Sequence, residues 1–234
     1  MDKHQSRILR PVSVSRVYDL NARMRRVMLS GESVAFFNDA PAGAWVKVFF
    51  TPPGEPEGPG RAYTISHLDP ESQSMYLDFV KHGDGPAMQW INKAQPGDVI
   101  RIAGPREGLN TEGLTSLLLF GDETAIPGIF AILNTLKSHV VAQVFILKDK
   151  TANYAVPAVL CALTIHWLES KKESLFDCVT SCVTEQDPDM VWGAGEHSEI
   201  IRIRKHMLGS LGLNRKKTDI NAYWKLGEAD HRDT

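Results

Sequence analysis

The sequence predicts a two-domain β plus α/β protein: an N-terminal antiparallel β-barrel over residues 1–110, then an open parallel α/β sheet domain over residues 111–234. Three observations predict it. From Pro11 to Gly108, short alternating apolar runs are separated by Gly and Pro turn signals, the pattern of an antiparallel barrel. At Leu114 the character changes, and Leu117-Leu118-Leu119-Phe120 is a continuous apolar run typical of a strand buried on both faces. After that point a strand twice leads through a Gly-containing turn into a helical stripe, as open α/β sheets require.

In order, Val12, Val14 and Val17 sit among polar residues, and Arg26 to Ser30 continues the strand pattern. Val46, Val48 and Phe50 alternate with Lys47 and Phe49, as on a strand with two faces. The segment Pro52 to Gly60 contains four prolines, three glycines and two glutamates, and reads as a loop. Beyond Phe120, the turn Gly121-Asp122-Glu123-Thr124 precedes Ile129, Ile132, Leu133 and Leu136 at helical spacing, with Pro127 tolerated in the first turn. Val140 to Leu147 and Leu163 to Leu168 read as buried strands. Met190 to Glu196 repeats the strand-to-turn pattern, followed by the helical stripe Ile200, Ile203, Met207 and Leu211.

The composition excludes several classes. At 234 residues, 43% hydrophobic and 23% charged with net charge −2, the chain carries no bulk electrostatic footprint for nucleic acid. Cys161, Cys178 and Cys182 have no framework spacing, which favours a reducing compartment. With His166 they fall short of a metal-ligand set, and small buried hydrophobes is the better reading. The N-terminus lacks the apolar run of a secretory signal, and Ala155 to Leu168 is too short to span a membrane. A cytoplasmic protein, monomeric by default, is the expectation.

The chemistry concentrates between Arg61 and Gly104. Read as alternate positions of an extended segment, Arg61, Tyr63 and Thr64 present one face. That face offers a phosphate-pairing guanidinium, a planar phenol and a short hydroxyl, the set a flavin dinucleotide needs. Alone, such a triplet is more often an ordinary amphipathic strand with one solvated face. After the strand Met75 to Val80, the Gly-rich turn Lys81-His82-Gly83-Asp84-Gly85-Pro86 feeds a short helix whose first N–H groups favour an anion. A tight turn at Gln95-Pro96-Gly97-Asp98 then leads into Val99 to Ala103.

Taken together, Arg-x-Tyr-Thr, Asp-Phe-Val-x-His-Gly, Gly-Pro-Ala-x-x-Trp and Pro-Gly-Asp-x-Ile-x-Ile-x-Gly-Pro resemble the siderophore-interacting proteins. These are FAD-containing ferric-siderophore reductases of the ferredoxin-reductase superfamily. The resemblance continues through Gly121 to Pro127, Trp192 to Glu196 and Tyr223 to Gly227, nearly the whole chain. It implies Tyr63 against the flavin, Arg61 at the phosphates and Thr64 near the reactive ring edge. It implies further FAD contacts from Asp78, Val80 and His82, and from the phosphate turn Gly85, Pro86, Ala87 and Met88. The family usually has Ser where this chain has Met88, which shifts phosphate binding onto backbone N–H groups. Thr124 is implied to touch FAD from the second domain; Trp224 either packs beside the cofactor, the favoured reading, or finishes the core. Lys47, Arg106 and Lys225 are implied to line a basic cleft for the ferric siderophore.

The implied function is FAD-dependent reduction of ferric siderophores, with electrons from NADH, NADPH or a ferredoxin. Two alternatives stand beside it: a general NAD(P)H:flavin or ferredoxin-type reductase, and a non-catalytic siderophore-binding protein. No G-x-S-x-G or H-E-x-x-H pattern supports hydrolysis. For a nicotinamide, Gly193-Ala194-Gly195 is only a fragment of the dinucleotide turn, and Asp122 and Glu123 would repel a pyrophosphate. Glu196 reads as the cap of its helix.

Overall fold

Alternation of apolar residues is what closes the first half of the chain. The computed structural model describes residues 8–81, 83, 85–169 and 173–228, and His82 lies outside them. The chain divides into two units, Met1–Asn110 and Thr111–Thr234. Among the described residues of the first unit, β1 (Arg10–Asp19), β2 (Met24–Ser30), β3 (Trp45–Phe49), β4 (Arg61–Asp69), β5 (Ser74–Val80) and β6 (Val99–Arg106) form a closed antiparallel barrel. Its strand order is β1-β2-β5-β4-β3-β6. Closure leaves no sheet edge to protect.

Val12, Val14, Val27, Leu29, Val46, Val48, Met75, Leu77, Phe79, Ile100 and Ile102 fill the interior, each 2% exposed or less. Their neighbours in sequence point outward. The short helix α1 (Pro86–Ile91) adds Ala87, Met88 and Ile91 to this core. Arg25 holds the far end of α1 by donating to the Ile91 carbonyl at 3.2 Å, while Asp19 receives its Nε at 2.7 Å. The proline-rich stretch between β3 and β4 offers few backbone donors. Arg101 ties its start down, donating to the Thr51 hydroxyl at 2.7 Å.

On the barrel's outer face, Arg26 of β2 and Asp78 of β5 lie directly opposite each other. Their guanidinium and carboxylate form a two-pronged pair at 2.6 and 2.7 Å, and the Asp78 side chain is only 3% exposed. The fork geometry satisfies both oxygens at once.

In the second unit, β7 (Ser116–Asp122), β8 (Val141–Lys148), β9 (Ala162–Glu169), β10 (Met190–Glu196) and β11 (Thr218–Trp224) form a parallel sheet in the order β11-β10-β7-β8-β9. The continuous apolar run of β7 lies at its centre, as burial on both faces demands. α2 (Ile126–Leu133) follows β7, with Pro127 in its first turn. α3 (Leu175–Gln186) and α4 (His197–Lys205) cover the face that carries Leu118, Phe120, Val191 and Ile220. Past α4 the stripe continues through one π-helical turn, His206–Ser210, which keeps Met207 buried.

α3 and β11 were not foreseen as elements. α3 is rich in Val, Thr and Cys, poor helix formers. Its signal was the spacing of Leu175, Val179, Cys182 and Val183, with Ser174 accepting from the Asp177 N–H at 3.2 Å. Cys161 and Cys182 are buried and Cys178 half-buried. No helix among the described residues is long and apolar enough to cross a membrane.

Replacing Arg26 by Ala strands a buried carboxylate, so R26A is expected to lose about 3 kcal/mol of stability. Urea unfolding of R26A and of the double variant R26M/D78L measures it. The double variant should lie closer to the parent, and equal loss in both would refute the pairing argument.

Candidate functional site

Strand alternation decides what β4 can present. Tyr63 lies opposite Val46 and Arg61 opposite Val48, both interior residues, whereas Thr64 lies opposite Trp45 and Ala62 opposite Lys47. Arg61 and Tyr63 therefore share the inner face, and Thr64 sits on the outer one. The expectation that all three share a face is corrected: Tyr63 and Thr64 are consecutive, and a strand's side chains alternate. A bulge between Ile65 and His67 makes room for Ser66, whose hydroxyl donates to the Tyr76 carbonyl at 2.9 Å.

Tyr63 belongs to an aromatic cluster. Its ring centroid lies 4.1 Å from that of Phe79, and the edge of Phe50 meets it at 6.4 Å. Trp90 of α1 closes the group, 5.0 Å from Phe50 and 5.9 Å from Phe79. Burial pushes the Tyr63 phenol well above its ordinary pKa, and the charge of Arg61 pulls it back only in part. Tyr63 thus stays a neutral hydrogen-bonding group. Gly85 caps α1 with Pro86 in its first turn, and Gly85 faces open space. The Met88 side chain turns into the barrel core, so its contribution to an anion is its N–H alone. Val80 is buried on the outer face, and the Asp78 carboxylate is committed to Arg26. Sequence reasoning missed Arg26, because the pair joins strands far apart in the chain.

The donor set fits a flavin dinucleotide. Arg61 supplies fixed positive charge, Tyr63 a planar phenol, and the start of α1 unpaired helix N–H groups beside a glycine with open space around it. Lys47 and Arg106 come together on the outer face. Trp45 and Lys47 alternate on β3, Arg106 lies opposite Trp45, and its guanidinium sits 5.6 Å from the Trp45 ring centroid.

In the second unit, the strand order reverses between β7 and β10, which places the crevice of an open sheet at their C-terminal ends. Asp122 ends β7 there. Its Oδ1 accepts from the Thr124 N–H at 2.8 Å and the Thr124 hydroxyl at 2.5 Å. Its Oδ2 accepts from the Glu196 N–H at 2.9 Å and from Nε1 of Trp224 at 2.8 Å. Glu196 caps α4, accepting from the Ser198 N–H at 2.7 Å and the Glu199 N–H at 3.3 Å. Lys225, just past β11, pairs with Glu228. Glu123 is buried and accepts from the Tyr154 hydroxyl at 2.7 Å.

The glycines of this edge are filled by the chain itself. A Cβ on Gly193 would lie 2.3 Å from the Phe120 ring, and one on Gly195 would lie 2.8 Å from Oδ2 of Asp122. Both make room for neighbouring side chains rather than for a phosphate. With Asp122, Glu123 and Glu196 gathered there, the edge does not form a standard pyrophosphate cradle.

Residues 114–227 match the family model of the siderophore-interacting protein, and residues 13–59 and 51–109 match that of the siderophore-interacting FAD-binding domain. The chain belongs to the siderophore-interacting protein family. It is 28% identical over 190 residues to the ferric acinetobactin reductase of Acinetobacter baumannii, covering 78% of this chain and 66% of that one. It is 27% identical over 245 residues to the ferric vibriobactin reductase ViuB of Vibrio cholerae, covering 92% and 89%. The NADPH-dependent ferric-chelate reductase of Escherichia coli is 26% identical over 238 residues, covering 92% of each. Among solved structures, the siderophore-interacting protein SipS from Aeromonas hydrophila superposes with a TM-score of 0.81 at 24% identity, covering 96% and 94%. The ferredoxin reductase in carbazole 1,9a-dioxygenase superposes at 0.73 and 15% identity, covering 93% of this chain and 69% of that one. Both likenesses bear on the fold, which is ferredoxin-reductase-like.

Burial raises the pKa of Asp122 above its unfolded value of 3.8, against the four donors that lower it. The folded state therefore holds this proton more tightly. The stabilisation is fully present below 3.8 and is lost as pH rises through the folded value. Against D122N, the parent should lose relative stability as pH rises from 3.8 through that value. Thermal unfolding of both proteins across that range checks it; a constant difference contradicts it.

Proposed function

We propose that this protein is an FAD-dependent ferric-siderophore reductase of the cytoplasm, drawing electrons from NAD(P)H or a small iron–sulfur protein. The observation that carries the reading is the union in one chain of an FAD-binding domain over the barrel residues and a siderophore-interacting domain over the sheet residues. The names of the matched reductases support the same reaction.

In this reading Arg61 would balance the diphosphate of FAD, Gly85, Ala87 and Met88 at the start of α1 would offer it backbone N–H groups while Pro86, which has none, fixes the turn, and Tyr63 would lie against the ring system. Thr64, Asp78, Val80, His82 and Thr124 complete the contacts. Asp78 acts through its backbone, because its carboxylate is held by Arg26. When bound, FAD accepts electrons in pairs and releases them singly, which matches a donor to a one-electron iron couple. Lys47, Arg106 and Lys225 attract and orient the anionic ferric complex. One electron converts ferric to ferrous iron, which hard oxygen donors hold less tightly, so iron leaves and the siderophore survives intact. No nucleophile or general base is required.

Nicotinamide use in this reading rests on the matched NADPH-dependent reductase, while the acidic, self-filled sheet edge favours a protein donor. The reading expects flavin absorption bands that bleach anaerobically with the true donor. They should return on adding ferric siderophore while a ferrous trap colours. FAD-loaded protein that leaves ferric siderophore unreduced under those conditions rules the reductase out.

K47A and R106A should each raise KM for an anionic ferric siderophore about fivefold, equivalent to about 1 kcal/mol for an exposed ion pair, with the flavin spectrum unchanged. Steady-state kinetics measures this, and unchanged KM in both variants would show the cleft to be misplaced.

A further inference from the structure

The segment Trp224-Lys225-Leu226 is anchored on both sides of its lysine by two carboxylates. Before it, Nε1 of Trp224 donates to Oδ2 of Asp122 at 2.8 Å. After it, the Leu226 N–H donates to Oε1 of Glu196 at 3.4 Å. The two acids are themselves joined, because the Glu196 N–H donates to the same Oδ2 of Asp122 at 2.9 Å. Glu196 also lies opposite Trp224 in the β10–β11 ladder, after a register shift that follows Gly195.

Among the described residues β11 is an edge strand, held in the sheet on one side only. The Leu226 side chain is 80% exposed, so core packing does not fix this turn. The Lys225–Glu228 ion pair closes it locally. What connects the turn to the centre of the sheet is the Asp122 carboxylate at the end of β7. Gly195 admits that carboxylate, since a Cβ there would lie 2.8 Å from Oδ2. A purely stabilising role explains the arrangement poorly. An apolar residue at the end of β7 would avoid desolvating a charge, whereas a carboxylate with four directed donors fixes geometry.

We infer that Asp122 and Glu196 form a positioning clamp that sets where Lys225 meets the anionic ferric siderophore, with Asp122 acting through Trp224. The inference rests on the proposed role of Lys225. Asp122 and Glu196 are positioning residues and touch no substrate. An Asn at position 122 keeps one of the two acceptor oxygens, so its NH2 faces donors either from Thr124 or from Trp224 and Glu196, and the four-donor arrangement is broken whichever way the amide sits. A Phe at 224 removes the Nε1 donor and leaves the carboxylate in place.

The test uses the FAD-loaded full chain and a gallium(III) tris-catecholate siderophore complex, which has the charge and shape of the ferric form but is not reduced. Binding is read by calorimetry, apart from turnover. D122N and W224F are each expected to raise Kd about tenfold, the loss of a hydrogen bond to a charged group. K225A should raise it comparably, and D122N/K225A little beyond K225A alone, because Asp122 acts through the lysine. V179A, a truncation of a fully buried residue of α3, should lower Tm and leave Kd unchanged.

Parental Kd in D122N and W224F overturns the clamp, as does full additivity in the double variant or an equal loss in V179A. If D122N does not fold, W224F decides the matter alone. If K225A binds as the parent does, the clamp falls while the reductase reading stands. A parent that neither binds the gallium complex nor reduces the ferric one removes that reading and the clamp together.

Discussion

A carboxylate removed from water must find donors, and Asp122 takes them from the turn after its own strand, from β10 and from β11. Those donors belong to residues up to 102 positions away in the chain. The sheet order that brings β11, β10 and β7 side by side is what makes the arrangement available. Burial still raises the acid's pKa, so the four hydrogen bonds do not fully offset desolvation. The residue is thus better understood as a source of geometry than of stability. It fixes the beginning of α4, the turn carrying Thr124 and the end of β11 with one functional group.

That arrangement also shapes what the crevice can accept. In an open α/β sheet the reversal of strand order ordinarily receives a dinucleotide on a Gly-rich turn. Here Phe120 and Asp122 occupy the space over Gly193 and Gly195, and Glu196 takes the first N–H groups of α4. The FAD-binding family match lies in the first unit, and this edge of the second has been given to the chain's own side chains.

The barrel solves a different problem. Its interior is apolar along most of its length and ends in the rings of Phe50, Tyr63, Phe79 and Trp90 beneath α1. Arg61 shares a strand face with Tyr63, so a single strand carries both a guanidinium and a phenol without a dedicated loop. On the outside, Arg26 and Asp78 neutralise each other, while Trp45, Lys47 and Arg106 form a separate basic and aromatic patch.

Much of this was legible in the sequence because the signals were local. Alternating Val46, Val48 and Phe50 marked a two-faced strand, and Leu117 to Phe120 marked a strand buried on both sides. Pro127 and Glu196 marked helix starts, and the Arg61-to-Gly104 motifs marked the family. Local periodicity reads well because side-chain direction follows from backbone geometry alone. The grouping of Thr64 with Arg61 and Tyr63 on one face was a misapplication of that rule, which the β3–β4 register corrects. α3 was missed because its Val, Thr and Cys are poor helix formers and packing overrode that propensity, and β11 because its Thr, Ile, Tyr and Trp, although strand-favouring, are interrupted by Asp219, Asn221 and Ala222. The Arg26–Asp78 fork, the four donors on Asp122 and the placement of Lys47 and Arg106 on one face left no local trace. Each depends on which strands become neighbours. The sequence by itself determined the element types, the domain order and the family; only the tertiary structure decided which charges neutralise one another and which stay available, because that depends on contacts between distant residues.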